Sequence, residues 1–283
     1  MAALLKKIAV ATRPLVWLDD VAYSEPLLAG GRANWLDATA LVAFRRKAAG
    51  LLRPDVAVLP VDAVVGAWLK HRPELREAMA AKRRTVVPLR TLLADEALRA
   101  KLVELVRALR ASFPGEPLAL SLPSPRKWIG DAWRHAFGAE ASVEVGAEEV
   151  DSASVYVAEF LRNFGETGVD GLLLQEAEST EPTSAAEIGW YRPVINVAGH
   201  YRWDLGLRLP AASSFSGGLD MVSFAIAPRP LAGCVAGVAV AADFWAGSAA
   251  PKLAAGGFRF AEIPANGVPE LVLERLAALR GGG

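Results

Sequence analysis

Three residues that can exchange protons with a substrate stand directly after apolar runs of the sequence. Asp62 follows VAVLPV with no residue between, Glu176 follows GLLLQ and His200 follows PVINVAG. Carboxylates crowded in a partly dry pocket have raised pKa values, so one of them can donate a proton near neutral pH. A histidine beside them can shuttle protons or bind an anion. Asp62, Glu176 and His200 are therefore the candidate catalytic residues.

Other polar and aromatic residues lie at or near the ends of apolar runs and form a candidate substrate-binding set. Its members are Trp17, Asp19, Ser121, Arg126, Tyr201, Asp243, Trp245 and Glu262. The aromatic members either wall a pocket or pack beneath loops. Arg126 either pairs with a substrate carboxylate or braces a loop acid, and only one of the neighbours Asp19 and Asp20 can face inward. Glu262 either points into the protein or pairs with Arg259.

The elements that must position these residues are short apolar runs alternating with amphipathic stretches. Eight runs are predicted strands: 14–18, 56–61, 117–123, 171–175, 193–199, 221–226, 237–242 and 258–263. These runs are continuous in apolar character, which favours strands covered on both faces in a parallel sheet. The clearest predicted helices are 95–113, 151–168 and 268–279. The segment 83–93 is interpreted as a connector rather than a ninth strand.

Eight strands alternating with helices predict an α/β protein, with residues 1–283 forming a single (β/α)8 TIM barrel. A doubly wound open sheet is the second possibility, but no glycine-rich phosphate turn follows any predicted strand. In a barrel the carboxyl ends of all strands converge on one face, so the candidate residues would share a pocket. The competing interpretation is that about half of them only satisfy backbone amides at helix starts.

Composition excludes several function classes. Lys plus Arg and Asp plus Glu both number 31, so the chain has no excess of positive charge with which to bind nucleic acid or an anionic membrane. The single cysteine, Cys234, excludes a disulfide and a multi-thiolate metal site within the chain, and no ligand spacing indicates another metal site. No apolar run is long enough to span a membrane and the N-terminus makes a poor secretory signal, so we expect a cytoplasmic protein.

Four segments resemble the uroporphyrinogen decarboxylase superfamily, which also includes cobalamin-dependent and cobalamin-independent methyltransferases such as methionine synthase. They are RPLVWLDD, RPDVAVLPVDAVV, PGEPLALSLPSP and FRFAEIPANGVPELVLERL, spread over nearly the whole chain. The resemblance implies a uroporphyrinogen decarboxylase-like barrel that commonly forms a homodimer. It also puts Asp62 at the position of the family's catalytic aspartate.

The chain departs from this family at its substrate and metal residues, as expected of a divergent member. The arginine-rich segment after the first strand is replaced by LDDVAYSEPLLAGGR, and EIPAN stands where the family has a histidine. VAGHYRWD keeps the histidine of the zinc-dependent methyltransferases but lacks their cysteine. A large tetrapyrrole substrate and zinc-activated thiol methylation are therefore disfavoured.

These observations predict a metal-independent lyase of decarboxylase type that acts on a small carboxylated or aromatic molecule and uses no cofactor. Two alternatives stay open. One is a methyltransferase linked to a corrinoid or to tetrahydrofolate, as in much of the superfamily. The other is a barrel that binds a ligand without turning it over.

Overall fold

Eight short strands alternate with helices along the part of the chain that the computed structural model describes, residues 3–210 and 215–281. The strands are β1 (Val16–Asp19), β2 (Ala57–Pro60), β3 (Leu118–Pro123), β4 (Gly171–Gln175), β5 (Asp204–Arg208), β6 (Phe224–Ala227), β7 (Val235–Ala239) and β8 (Phe258–Glu262). The helices are α1 (Ala3–Val10), α2 (Val21–Ala29), α3 (Ala38–Leu52), α4 (Val61–His71), α5 (Pro73–Ala80), α6 (Val87–Leu93), α7 (Glu96–Ser112), α8 (Pro125–Phe137), α9 (Ala147–Leu161), α10 (Ala185–Ile188), α11 (Arg192–Tyr201) and α12 (Pro269–Gly281). Three 3-10 helices cover Arg162–Phe164, Gly189–Tyr191 and Ala242–Ala246.

All eight strands form one parallel sheet in the order β1-β8-β7-β6-β5-β4-β3-β2. Strands adjacent in sequence are therefore adjacent in space, which is the order of a (β/α)8 barrel rather than of a doubly wound sheet. Within the described ranges β1 and β2 share no ladder. Asp55 nevertheless connects them, since its N–H donates to the Val16 carbonyl at 3.1 Å and its carboxylate accepts from the Val16 N–H at 2.8 Å.

Alternate residues of each strand point to opposite sides of the sheet, which separates an inner core from an outer one. The inner cluster contains side chains from seven strands: Trp17, Val58, Ala119, Leu173, Phe224, Ile226, Val235, Ala239, Phe258 and Phe260. The ring of Trp17 lies 5.7 Å from that of Phe224 and 6.3 Å from that of Phe258. Strand β5 has Gly206 at the corresponding inward position. A Cβ at this residue would collide with the ring of Phe224, so a larger side chain does not fit there.

The outward residues of the strands pack against the helices, whose apolar positions recur every three or four residues. Helix α7 is an example: Asp95 caps it by accepting from the Leu98 N–H at 2.6 Å, and Leu98, Leu102, Leu105 and Leu109 form its buried face. The predicted helices 95–113 and 268–279 correspond to α7 and α12, whereas α9 begins four residues before the predicted 151. None of the described helices combines the length and apolar character needed to cross a membrane.

The prediction of the fifth strand is wrong. Residues 193–199 belong to helix α11, and β5 begins at Asp204. Pro193 fits the first turn of a helix, where its missing N–H costs nothing, and the buried residues Val194, Val197 and Ala198 follow helical spacing. The sixth and seventh strands are also displaced along the chain, to β6 and β7. The segment 83–93 contains helix α6 rather than a plain connector.

Candidate functional site

The carboxyl ends of five strands carry inward-facing polar side chains. They are Asp19 of β1, Ser121 of β3, Gln175 of β4, Arg208 of β5 and Glu262 of β8. Parallel pairing aligns them across the sheet, since Asp19 stands opposite Glu262 and Gln175 stands opposite Arg208. These five residues form a polar ring directly above the apolar interior.

Arg208 is the centre of the polar ring. Its Nη1 donates to Gln175 Oε1 at 3.1 Å, and Gln175 in turn donates to the hydroxyl of Ser121. Its Nη2 forms an ion pair with Glu262, and its guanidinium lies 5.1 Å from the ring centre of Phe260. These contacts hold a cation in place at the mouth of the inner core.

A cavity of about 120 Å³ lies beside the polar ring. Its wall contains Trp17, Leu18, Asp19, Asp20, Val21, Arg45, Val58, Pro60, Asp62, Ala63, Ser121, Leu173, Gln175 and Phe260. The cavity therefore joins aromatic surfaces to carboxylates from two different strand ends, Asp19 and Asp62. These two acids, with Trp17 and Ser121, line one cavity at the carboxyl ends of the strands.

The carboxyl group of Asp19 has a raised pKa. Burial is the main cause, Arg208 opposes it, and the nearby Asp20 and Asp62 add to it because like charges resist ionisation together. A carboxyl group in this setting keeps its proton to a higher pH than an exposed aspartate. Asp19 can therefore donate a proton to a molecule in the cavity.

Asp62 lies in the first turn of α4, directly after the end of β2. It lines the inner cavity and also an outer cleft between α4 and α8, so its carboxyl group remains in contact with solvent. Surrounding protein still raises the pKa of Asp62, and the positive charge of Lys127 opposes that rise. A negative charge is favourable in the first turn of a helix, and Asp62 combines that position with a place in the cavity wall.

Asp20 turns away from Asp19 and pairs with Arg45. The Arg45 guanidinium donates to both carboxylate oxygens of Asp20, at 3.0 and 3.2 Å, and both residues are almost fully buried. This pair fixes the start of α2 against α3. Asp20 also borders the cavity, but its carboxylate is bound by Arg45, whereas Asp19 belongs to the polar ring.

Glu176 does not line the cavity. It follows Gln175, and its side chain is buried outside the polar ring, where it accepts hydrogen bonds from Ser124 Oγ at 2.6 Å and from the Tyr191 hydroxyl. Burial raises the pKa of Glu176 to about 7, although both hydrogen bonds and the charge of Arg126 oppose the rise. The expected pairing of Glu176 with Asp62 in one pocket is therefore not found.

Arg126 lies in the first turn of α8, near Glu176. Its Nη2 donates to Glu187 Oε1 at 3.3 Å, and its guanidinium lies 5.2 Å from the ring centre of Trp190. Arg126 therefore braces an acid of the protein, which is close to the expected alternative, although Glu187 lies in the short helix α10 rather than in a loop. Arg126 does not line the cavity.

His200 and Tyr201 are not at a strand end, because the strand predicted before them is helix α11. His200 is exposed at the end of that helix, and Tyr201 stacks on Trp203 with ring centres 4.8 Å apart. Both border an outer groove between α9 and α11. The prediction that they share a pocket with Asp62 is wrong.

Two further candidates lie away from the cavity, and a third joins the polar ring. Asp243 is exposed in the 3-10 helix after β7, where it accepts from Ser248 Oγ at 3.0 Å. Trp245 packs against Phe244 in the outer core. Glu262 ends β8 and pairs with Arg208, whereas the expected alternative partner Arg259 faces outward.

Gln175, Arg208 and Phe260 were not among the predicted site residues. Gln175 and Phe260 lie inside runs that were correctly predicted as strands, and only the register shows that they face inward. Arg208 was missed because the fifth strand was misplaced. The alternation in DLGLR, with two leucines on one face and a glycine and an arginine on the other, is the signal that indicates it.

Within residues 3–210 and 215–281, no three His, Cys, Asp or Glu side chains are grouped in a way that could hold a metal ion. No family model matches the sequence, and no curated protein matches it significantly.

Proposed function

We propose that the protein is a metal-independent decarboxylase-type lyase that acts on a small aromatic carboxylic acid at the carboxyl ends of its strands. The observation that carries the proposal is one cavity lined by two carboxyl groups of raised pKa, Asp19 and Asp62, beside a fixed cation, Arg208. A carboxylate substrate needs the cation for binding, and its decarboxylated product needs a proton.

The proposed reaction uses these residues in separate roles. Arg208 orients the bound acid, and the rings of Trp17 and Phe260 pack against its flat apolar part. The carbon–carbon bond to the carboxylate breaks, carbon dioxide leaves, and the bonding electron pair stays on the substrate carbon. Asp19 or Asp62 then gives its proton to that carbon, and solvent returns the proton to the enzyme.

Closure of the sheet into a full (β/α)8 barrel belongs to the same proposal, as does membership of the uroporphyrinogen decarboxylase superfamily. The sequential strand order and the two hydrogen bonds between Asp55 and Val16 support closure. If the barrel is closed, the Val16 and Asp55 amides exchange with deuterium as slowly as those of β3 and β4. Fast exchange at both amides would contradict it.

The two alternatives have less support. A volume of about 120 Å³ is well below the ~300 Å³ at which sites for drug-sized ligands begin, so a corrinoid or a whole tetrahydrofolate does not fit within the described cavity. A barrel that only binds its ligand does not need two carboxyl groups of raised pKa at one cavity. Raised pKa values are more typical of acid–base chemistry than of binding alone.

The test is a screen of small aromatic carboxylic acids for carbon dioxide release, followed by Asp62→Asn and Asp19→Asn in the responsive reaction. Loss of a general acid lowers turnover by about 10²- to 10⁴-fold. We expect that loss in at least one of the two variants, with the melting temperature nearly unchanged. The rate should also fall as pH rises through the raised pKa of the donor. Full activity in both variants would refute the assigned roles, and binding without product would favour the binding barrel.

A further inference from the structure

A second and larger cavity lies at the opposite ends of the strands. It has a volume of about 330 Å³. Its wall includes residues that precede three strands, namely Arg13 before β1, Asp55 before β2 and Glu116 before β3, together with parts of α1, α3 and α7. We call it the basal cavity.

The basal cavity carries an excess of positive charge. Four cations line it, Lys7, Arg13, Arg45 and Arg53, against two acids, Asp55 and Glu116. Asp55 is already engaged: both of its oxygens accept from Arg13, and one of them also accepts from the Val16 N–H. It therefore neutralises Arg13, and Asp20 neutralises Arg45, which leaves Lys7 and Arg53 with Glu116 as the one remaining acid of the wall.

The remaining cations have donors to spare. The Lys7 amino group donates to the Asp55 carbonyl oxygen at 2.9 Å, which uses one of its three N–H bonds. Arg53 ends α3 in a left-handed conformation, with φ of 50°. Among the described residues, its guanidinium has no hydrogen-bond or ion-pair partner. Lys7 and Arg53 can therefore both donate to an incoming anion.

The rest of the wall is apolar. Ala49 of α3, Leu109 of α7, Phe113 directly after α7 and Val58 of β2 surround the charged groups. Charged donors set in an apolar wall are typical of sites for small organic molecules. We propose that the basal cavity binds a small organic anion, a molecule that carries carboxylate or phosphate groups on an apolar skeleton.

This binding site is separate from the proposed decarboxylation, because Lys7, Arg13 and Arg53 do not line the cavity of about 120 Å³ at the carboxyl ends of the strands, which we call the upper cavity. The two cavities nevertheless share part of their walls, namely Arg45 and Val58, at the seam between β1 and β2. An anion bound below is thus divided from the upper cavity by the ion pair of Arg45 with Asp20.

The experiment is isothermal titration of the full chain with phthalate and with phenyl phosphate, which place carboxylates or a phosphate on the same ring. We expect one of the two probes to bind. The double variant Lys7→Gln/Arg53→Gln should weaken that binding by at least about tenfold, since each change removes a charged donor. Arg46→Gln is the matched control. Arg46 is exposed on α3, the helix that Arg53 follows, and it does not line the basal cavity.

Two more variants locate the bound anion. Ala49→Phe fills the basal cavity without changing its charge and should also weaken binding by at least about tenfold, whereas Arg208→Gln should leave it unchanged. Binding that disappears only in Arg208→Gln would put the anion in the upper cavity and overturn the proposal. No binding of either probe, retained binding in Ala49→Phe, or an equal loss in Arg46→Gln would overturn it too. Circular dichroism confirms that each variant is folded.

Discussion

Replacement of the buried carboxyl group of Glu176 by an amide should flatten the pH dependence of stability. Only about 3% of Glu176 is exposed, and its pKa in the folded protein is about 7 against an ordinary value of 4.5. The folded state therefore binds this proton more tightly than the unfolded state does. The resulting stabilisation is fully present below pH 4.5 and is lost as pH rises towards 7. This difference in pKa corresponds to a change in the free energy of unfolding of about 3 kcal/mol at most.

Glu176→Gln removes this titration while it keeps the size of the side chain and one acceptor oxygen for Ser124 or Tyr191. We expect the stability of the variant relative to the wild type to rise by up to about 3 kcal/mol between pH 4.5 and 8. The substitution also alters the hydrogen bonds of this side chain. That effect shifts the free energy of unfolding by nearly the same amount at every pH, so the rise with pH remains visible.

The assay is urea unfolding at half-unit steps of pH, with the free energy of unfolding extrapolated to water. Glu77→Gln is the matched control, because Glu77 is exposed on α5 and the change has the same chemistry. Other titrating groups cancel when each variant is compared with the wild type. Parallel curves for Glu176→Gln and the wild type would refute the reasoning.

Two further predictions concern packing and the ion pair at the cavity wall. Gly206→Ala should destabilise the protein by about 1–3 kcal/mol because its Cβ meets the ring of Phe224, whereas Gly66→Ala, in open space on α4, should be neutral or stabilising in the same thermal unfolding assay. A similar effect at both glycines would contradict the inner packing. Arg45→Met should cost about 3–5 kcal/mol in urea unfolding because Asp20 stays buried without its partner. A cost below about 1 kcal/mol would show that the pair is solvated.

The sequence predicts the parallel sheet because most strands are continuous apolar runs. Strands β2, β3, β4 and β8 were predicted within a residue or two. The fifth strand failed for a physical reason. A helix covered by its neighbours can be as apolar as a strand, and only the three- and four-residue spacing of its buried positions distinguishes it.

The candidate site depends on register, which apolar runs alone do not specify. A shift of one residue exchanges the inner and outer faces of a strand. Asp19 faces the cavity while Asp20 binds Arg45, and Gln175 joins the polar ring while Glu176 is buried outside it. The sequence located these strand ends correctly, but it did not distinguish the inward residue from its neighbour.

The most direct test of the central claim follows the carboxyl carbon of the substrate by ¹³C NMR. An aromatic acid that binds the protein is labelled at its carboxylate and incubated with the wild type and with Arg208→Gln. We predict that the wild type converts the label to bicarbonate and that Arg208→Gln does so far more slowly. If the labelled acid binds in the upper cavity yet its carboxyl signal stays undiminished, the protein is not a decarboxylase.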